Sequence, residues 1–244
     1  LLENSALPTF CHSENDTDYR KSYVQTKLVS DKEGNFVVSG KKAMIKNASG
    51  ASHLIITCRS SGHYADEEGI TVVCIPSNRP GIDIKSFSSI DGGRVSDIEL
   101  DNVAVFKNEI IGNNGKGFEI ISEAIDFGIL AICSEALGIM EKIKELTLDY
   151  LKTRKQFGVP IGKFQALQHR MAQLLVEIEQ ARSAVVNATI NFFDSNERSC
   201  AISAAKFSIG KIGMLVAEES IQLHGGMGMT WEYDLGHYAK RLVM

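Results

Sequence analysis

The feature that most constrains this chain is a change of hydrophobic period near residue 112. From Tyr23 to about Val105 the sequence runs in short β-branched stretches broken by turn residues, among them Phe36-Val37-Val38-Ser39-Gly40, Leu54-Ile55-Ile56-Thr57-Cys58 and Thr71-Val72-Val73-Cys74-Ile75. Lys32-Glu33-Gly34-Asn35 has the composition of a hairpin turn, and Ser77-Asn78-Arg79-Pro80-Gly81 that of a tighter break, the spacing expected of an antiparallel β-barrel or sandwich. After Asn113-Asn114-Gly115-Lys116-Gly117 the apolar positions become Phe118, Ile121, Ile125, Ile129, Ile132, Ala136, Ile139, Ile143, Leu146 and Tyr150. Steps of three and four predict one helix of about 35 residues, ~50 Å long. The loop Gly158-Val159-Pro160-Ile161-Gly162 ends it. A second helix carries Leu167, Met171, Leu174, Ile178, Ala181, Val185 and Ala188 on one stripe, and a third runs from about Arg198 to Leu223. A fourth begins near Leu235 and is still running at Met244. The expectation is an α+β chain: a β domain over 1–111, then an antiparallel four-helix bundle over 112–244 whose last helix is cut short.

Composition narrows the function classes. A formal net charge of −4, from 26 basic and 30 acidic side chains spread along 244 residues, leaves no electrostatic footprint for nucleic acid. Cys11, Cys58, Cys74, Cys133 and Cys200 are odd in number and never fall in a zinc or disulfide spacing, so no metal is expected and the compartment reads as reducing and cytoplasmic. No uninterrupted apolar run approaches the ~20 residues of a membrane span, and no secretion signal opens the chain. Leu1 in place of Met, and a helix still running at Met244, lead us to expect a segment of a longer protein.

Two segments carry chemical interest. Arg154-Lys155-Gln156-Phe157-Gly158-Val159-Pro160-Ile161-Gly162-Lys163-Phe164-Gln165 sets a cation, an amide and a flat apolar face around a glycine-flanked turn. Taken alone it reads first as a cationic helix end complementing the dipole, ahead of a ligand contact. Gln222-Leu223-His224-Gly225-Gly226-Met227-Gly228-Met229 closes the third helix with glycines, which let backbone approach an anion or simply cap the helix. His169 reads as a surface or interface residue, His224 as either a cofactor contact or a packed helix end, and Trp231 and Tyr233 as loop anchors.

Together, two helices apart, the two segments resemble the signature segments of the acyl-CoA dehydrogenase family. Gly92 to Val103 (GGRVSDIELDNV) resembles the family's last β-domain strands, and Asn114-Gly115-Lys116-Gly117-Phe118 its entry into the helical domain. The resemblance implies the family's middle and C-terminal domains, with Leu2-Glu3 near the start of the β domain and the N-terminal helical domain absent. It implies FAD lying between the β domain of one subunit and the helical domain of its neighbour. Arg154, Gln156, Phe157, Gln222, Gly225 and Gly226 would hold the adenosine and pyrophosphate, with Ile161, Phe164 and Gln165 lining the same place. It further implies α,β-dehydrogenation of an acyl-CoA substrate in fatty acid metabolism, a homo- or hetero-tetramer built as a dimer of dimers, and electron-transfer flavoprotein as the electron acceptor.

The sequence departs from the family where the flavin ring and the base should be. Met44 and Lys46 stand where the family offers a Trp and a hydroxyl residue, and Leu2 where a hydroxyl is common. The resemblance puts the catalytic Glu after the final helix-loop segment, a position beyond Met244, so its absence reads either as truncation or as loss; its alternative position in the long helix matches Gly128, the Arg after it matches Ile129, and only Asp126 is kept. A donated half-site kept beside an altered own half-site resembles the small subunits of two-component, pimeloyl-CoA-type dehydrogenases, as do Asp149 to Gly158 and Gly236 to Leu242. The catalytic residues are therefore left unassigned. The rivals are a noncatalytic partner subunit, and an acyl-CoA oxidase or flavin monooxygenase on the same scaffold.

Overall fold

The computed structural model describes residues 7–15, 17, 19–30 and 35–244. Leu2, Glu3 and the expected turn residues Lys32, Glu33 and Gly34 lie outside the described residues. The chain forms two compact units, Leu1–Ala124 and Ile125–Met244.

In the first unit the β-branched stretches become β1 (Pro8–Cys11), β2 (Lys27–Ser30), β3 (Phe36–Lys46), β4 (His53–Arg59), β5 (Ile70–Pro76), β6 (Ile82–Ser88), β7 (Arg94–Val105) and β8 (Ile110–Ile111). They form one sheet ordered β6-β7-β3-β2-β4-β5-β8, with β1 paired to β4. Most pairs are antiparallel. The exceptions share an edge of β4, where β1 runs parallel along His53–Ile56 and β2 meets Arg59. The expected barrel is not closed: the sheet order ends at β6 and β8, and a two-residue β8 offers too little ladder to pair with a seven-residue β6. Alternate residues Leu54 and Ile56 of β4, Val73 and Ile75 of β5, and Ile98 and Leu100 of β7 fill the core with Val38 and Ile45. Each such side chain contributes about 1.5–3 kcal/mol by leaving water. Two register shifts in the β3–β7 ladder, at Val38/Gly40 and Lys42/Ile45, re-aim the end of β3.

The helical region comprises α1 (Phe118–Thr153), a two-stranded hairpin β9 (Lys155–Gln156) and β10 (Val159–Pro160), α2 (Gln165–Ile190), α3 (Arg198–His224) and α4 (Leu235–Val243). α2 buries Met171, Leu174, Ile178, Ala181, Val185 and Ala188, the stripe its periodicity predicts. The α1 stripe holds along most of its length: Ile121 and Ile143 are buried, Ile129, Ala136, Ile139 and Leu146 pack against the helical core, and of the expected positions Ile132 is exposed, at 53%. Cys133, Met140 and Leu151 join the core beside them, because a 3.6-residue period drifts across a fixed three-four pattern over 36 residues. Arg241 grips Glu135 with two nitrogens, tying α4 to α1, and Arg170 reaches Glu219 at 2.7 Å, tying α2 to α3.

Arg198–Met229 is long and apolar enough to cross a membrane by length and composition, which a count of uninterrupted apolar residues passes over. Its Ile209, Ile212, Val216 and Leu223 lie in the helical core, the position of a bundle's core helix.

Candidate functional site

The loop after α1 is a hairpin whose tip holds an aromatic ring in a conformation that β-carbon residues avoid. Val159 pairs with Gln156, leaving Phe157-Gly158 as a two-residue loop with φ of 53° and 83°. Two positive φ values match the type I′ turn that suits a tight hairpin, and Gly158 takes its place without strain. Phe157 pays for its place with about 1–2 kcal/mol of left-handed strain. Its ring is 91% exposed, held only edge-on against Phe164 at 6.1 Å between centroids. A strained, exposed aromatic has no stability rationale of its own, and it points to a ligand contact. The Ile161 amide donates to the Arg154 carbonyl at 2.8 Å and closes the base of the hairpin, and Gln168 Nε2 donates to the Gly162 carbonyl at 2.8 Å. Arg154, Gln156, Phe164 and Gln165 are exposed around this turn, and Ile161 is half-buried.

At the end of α3, Gly225 adopts φ 60° and ψ −142°, a region open only to glycine. A β-carbon at Gly225 or Gly226 would meet nothing within 4 Å, so both positions face open space where a ligand can reach the backbone. Gln222 is exposed beside them, whereas Gly228 is buried and closely packed on His224 and Ile221.

His224 joins the two segments. Its ring stacks on Tyr150, one turn before Arg154, at 4.4 Å and 29°, so the root of the hairpin and the glycine turn share one contact. Nδ1 lies 2.8 Å from the Ser220 carbonyl and therefore carries the proton, leaving Nε2 to accept from the Tyr233 hydroxyl at 3.3 Å. Burial pushes the imidazole below its usual range, with the Ser220 and Leu146 carbonyls working the other way. His224 is thus a packed neutral hub, and Tyr233 anchors the loop onto it. Trp231 is 72% exposed and sits under Lys240 Nζ at 4.5 Å, while His169 is exposed on α2.

Near the long helix's start within the second unit, Gly128 presents no side chain and a β-carbon there would meet nothing within 4 Å. Asp126 is buried and lies 3.5 Å from Arg198 Nε, a charge partner that suits structure.

In the first unit, Met44 has φ 57° and is 61% exposed, its amide donating to Asp97 at 3.1 Å, and Lys46 is exposed two residues on. Behind them lies a polar cluster that sequence reasoning missed. Lys42 Nζ, fully buried, contacts Glu14 Oε1 at 2.7 Å, Thr57 Oγ1 at 3.1 Å and the His12 carbonyl at 3.3 Å. Glu14 also accepts from the amides of Gln25 (2.7 Å) and Thr26 (3.0 Å) and from the Thr26 hydroxyl (2.7 Å). Burial raises the Glu14 carboxyl, but the Lys42 charge and these hydrogen bonds outweigh it and hold it below the usual range. Burial pushes Cys11 and Cys58 up to about 12, keeping both thiols protonated. The available signal was strand parity: Lys42 shares the inward phase of Val38 on β3, and a lysine there demands a buried carboxylate. Among the described residues no group of three His, Cys, Asp or Glu is placed to hold a metal.

Two family models match the chain, "Acyl-CoA dehydrogenase, middle domain" over residues 9–103 and "Acyl-CoA dehydrogenase, C-terminal domain" over 115–243. The chain is 30% identical over 238 residues to the Bacillus subtilis protein named "Probable acyl-CoA dehydrogenase YngJ", covering 96% of this chain and 62% of that protein. The solved butyryl-CoA dehydrogenase of Megasphaera elsdenii superposes with a TM-score of 0.88 at 26% identity, over 99% of this chain and 63% of that one. A chain in a structure titled for the electron transferring flavoprotein of Acidaminococcus fermentans matches with the same TM-score, 0.88, at 28% identity, over 98% and 63% of the two chains. The chain thus spans about six-tenths of the length of these relatives. On these matches and the sheet-then-bundle architecture, the chain belongs to the acyl-CoA dehydrogenase family, of which it carries the middle and C-terminal domains.

Proposed function

We propose that the chain serves the FAD-dependent α,β-dehydrogenation of an acyl-CoA thioester, as a subunit that lends half of an FAD site to a partner. The observation that carries this reading is the Tyr150–His224 stack, because it draws the Arg154–Gln165 hairpin and the Gly225–Gly226 turn into one place on the second unit. The donor set suits a dinucleotide. Arg154 brings a planar guanidinium that pairs bidentately with phosphate oxygens, and among the described residues no carboxylate lies within ion-pair distance of it. Gly225 and Gly226 offer backbone in open space, and the Gln156, Gln165 and Gln222 amides can each donate and accept. Phe157, with Phe164 behind it and Ile161 at the hairpin's base, provides the flat apolar face that an adenine ring stacks on. FAD, when bound, supplies the two-electron acceptor for the substrate's β-hydrogen.

The α-proton needs a carboxylate base: in the long helix Gly128 and Ile129 are not bases and Asp126 is engaged with Arg198, and the position after the final helix-loop segment, where the family usually carries its Glu, lies beyond Met244. Met44 and Lys46 replace a stacking ring and a neutral hydroxyl at the chain's own flavin position. Both substitutions favour a second reading, in which the partner performs the chemistry and this chain completes its cofactor site in a heteromeric tetramer. The Acidaminococcus neighbour supports an electron-transfer flavoprotein as the electron acceptor.

FAD titrations of the assembled protein, followed by flavin fluorescence quenching, test the site. Arg154→Ala removes charge-assisted hydrogen bonds, and roughly tenfold to hundredfold weaker binding is expected. Gly226→Leu fills the open space and should abolish binding with the fold intact by circular dichroism. Unchanged affinity in both variants would remove the assignment.

A further inference from the structure

The sheet of the first unit ends on a strand long enough to accept another. β6 pairs with β7 over its seven residues without a register shift, from Ile82↔Leu100 to Ser88↔Arg94, and among the described residues no strand lies on its other side. Two bonds just beyond its ends fix which way its backbone groups point. The Asp101 amide donates to the Gly81 carbonyl at 2.9 Å and the Ser89 amide to the Gly93 carbonyl at 3.0 Å, so odd-numbered residues turn their backbone groups to β7. The N–H and carbonyl groups of Ile82, Ile84, Ser86 and Ser88 therefore point off the sheet. The Ile82 amide is taken by the Arg79 carbonyl at 3.3 Å, and among the described residues no hydrogen bond reaches the outward groups of Ile84, Ser86 or Ser88.

Natural sheets blunt such edges with prolines, bulges or unbalanced charge, and β6 has neither proline nor bulge. Its outer face carries Asp83, Lys85 and Phe87, all exposed, while Ile82 and Ile84 pack on the core. The Asp83 and Lys85 side chains are 62% and 60% exposed, so their mutual contact at 3.5 Å, and that of Lys85 with Glu99 at 3.9 Å, contribute little and exchange readily for others.

A second β6 laid antiparallel on this edge must set even residues opposite even ones, which leaves few registers. A two-fold axis between Ile82 and Ile84 places Asp83 against its own copy, and one between Ile84 and Ser86 does the same to Lys85; like charges directly opposite repel. Axes through Ile82 or Ser86 bring no opposite charges together. The axis through Ile84 sets Asp83 against Lys85 twice, lets the two Ile84 residues exchange both backbone bonds, and lays each Phe87 ring across Gly81 of the second copy, where the glycine leaves room for it.

We propose that β6 is a docking edge for a second copy of this chain, paired antiparallel about a two-fold axis through Ile84, with Asp83 and Lys85 selecting the register. The contact is isologous, involves the first unit alone, and stands independently of the FAD reading.

Hydrogen exchange of the full-length protein in its native assembly reads this edge, because the Ile84 and Ser86 amides are open to water in a single copy and bonded in the pair. Protection of both amides, rising with protein concentration, is the expected result. Lys85→Asp and Asp83→Lys each set like charges opposite one another twice and should cut that protection roughly tenfold. An equimolar mixture of the two variants regains two opposite-charge pairs and should restore it, which a misfolded variant could not do. Unprotected amides in the wild type would overturn the proposal, as would a mixture no better protected than its components. Protection that both variants keep in full would also overturn it, and would place a strand of the partner subunit on this edge instead.

Discussion

Replacing Lys42 by Met keeps the length and apolar stem of a fully buried side chain and removes only its charge. Glu14 then keeps three hydrogen bonds, from the Gln25 amide, the Thr26 amide and the Thr26 hydroxyl, but loses its cation 2.7 Å away. Breaking a buried pair from one side costs about 3–5 kcal/mol, because the remaining charge stays desolvated. The sign of the pH dependence reverses as well. In the wild type the Glu14 carboxyl lies below its unfolded value, so its stabilising contribution is present above that value and lost as pH falls through the folded one. With Lys42 gone, burial dominates and raises the carboxyl, so the variant should instead lose stability as pH rises through the raised value. Hydrogen exchange of the β4 amides isolates this unit from the helical one, and the lost pair should lower their protection at pH 7 by a hundredfold or more, at 1.4 kcal/mol per tenfold. The deficit should shrink toward pH 5. A loss under tenfold, or a deficit that grows on acidification, would refute the reasoning.

Further expectations concern the helical unit and the cysteines. Phe157→Asn creates an Asn-Gly pair in the tight hairpin and relieves left-handed strain, so thermal melts should show a gain of about 1 kcal/mol while FAD affinity falls; a stability loss would contradict the strain argument. His224→Ala leaves a cavity at a buried side chain and removes the Tyr150 stack and the half-buried Tyr233 hydroxyl's partner, and urea unfolding of the helical unit should register a loss of about 2–3 kcal/mol. In native protein at pH 8, iodoacetamide should label exposed Cys200 and spare Cys11 and Cys58, whose buried thiols stay protonated up to about 12. Mass spectrometry showing equal labelling would refute that burial.

Much of the fold was legible in the residue pattern because local period and tertiary face agree. The α2 stripe is short enough to stay in phase, and β4 and β5 read directly from their β-branched runs. What the pattern hid depends on partners distant in sequence. The parallel pairing of β1 with β4 joins residues 45 positions apart, and the failure of the sheet to close depends on the shortness of β8. Lys42 shares the inward phase of Val38, but its partner Glu14 stands 28 residues earlier and only the folded strands bring the two together. At the candidate site the residue types of the hairpin and the glycine turn were visible, but the strain at Phe157 and the Tyr150–His224 stack that unites the segments required the backbone.

The central claim, that this chain completes an FAD site shared with a partner, is tested most directly by the visible absorbance of oxidised flavin in the purified full-length protein, alone and after co-expression with the neighbouring dehydrogenase subunit. The account predicts bound flavin only in the co-expressed sample. Stoichiometric flavin in the protein alone, with acyl-CoA oxidation at a normal rate, would contradict it and make the chain part of an ordinary homomeric dehydrogenase.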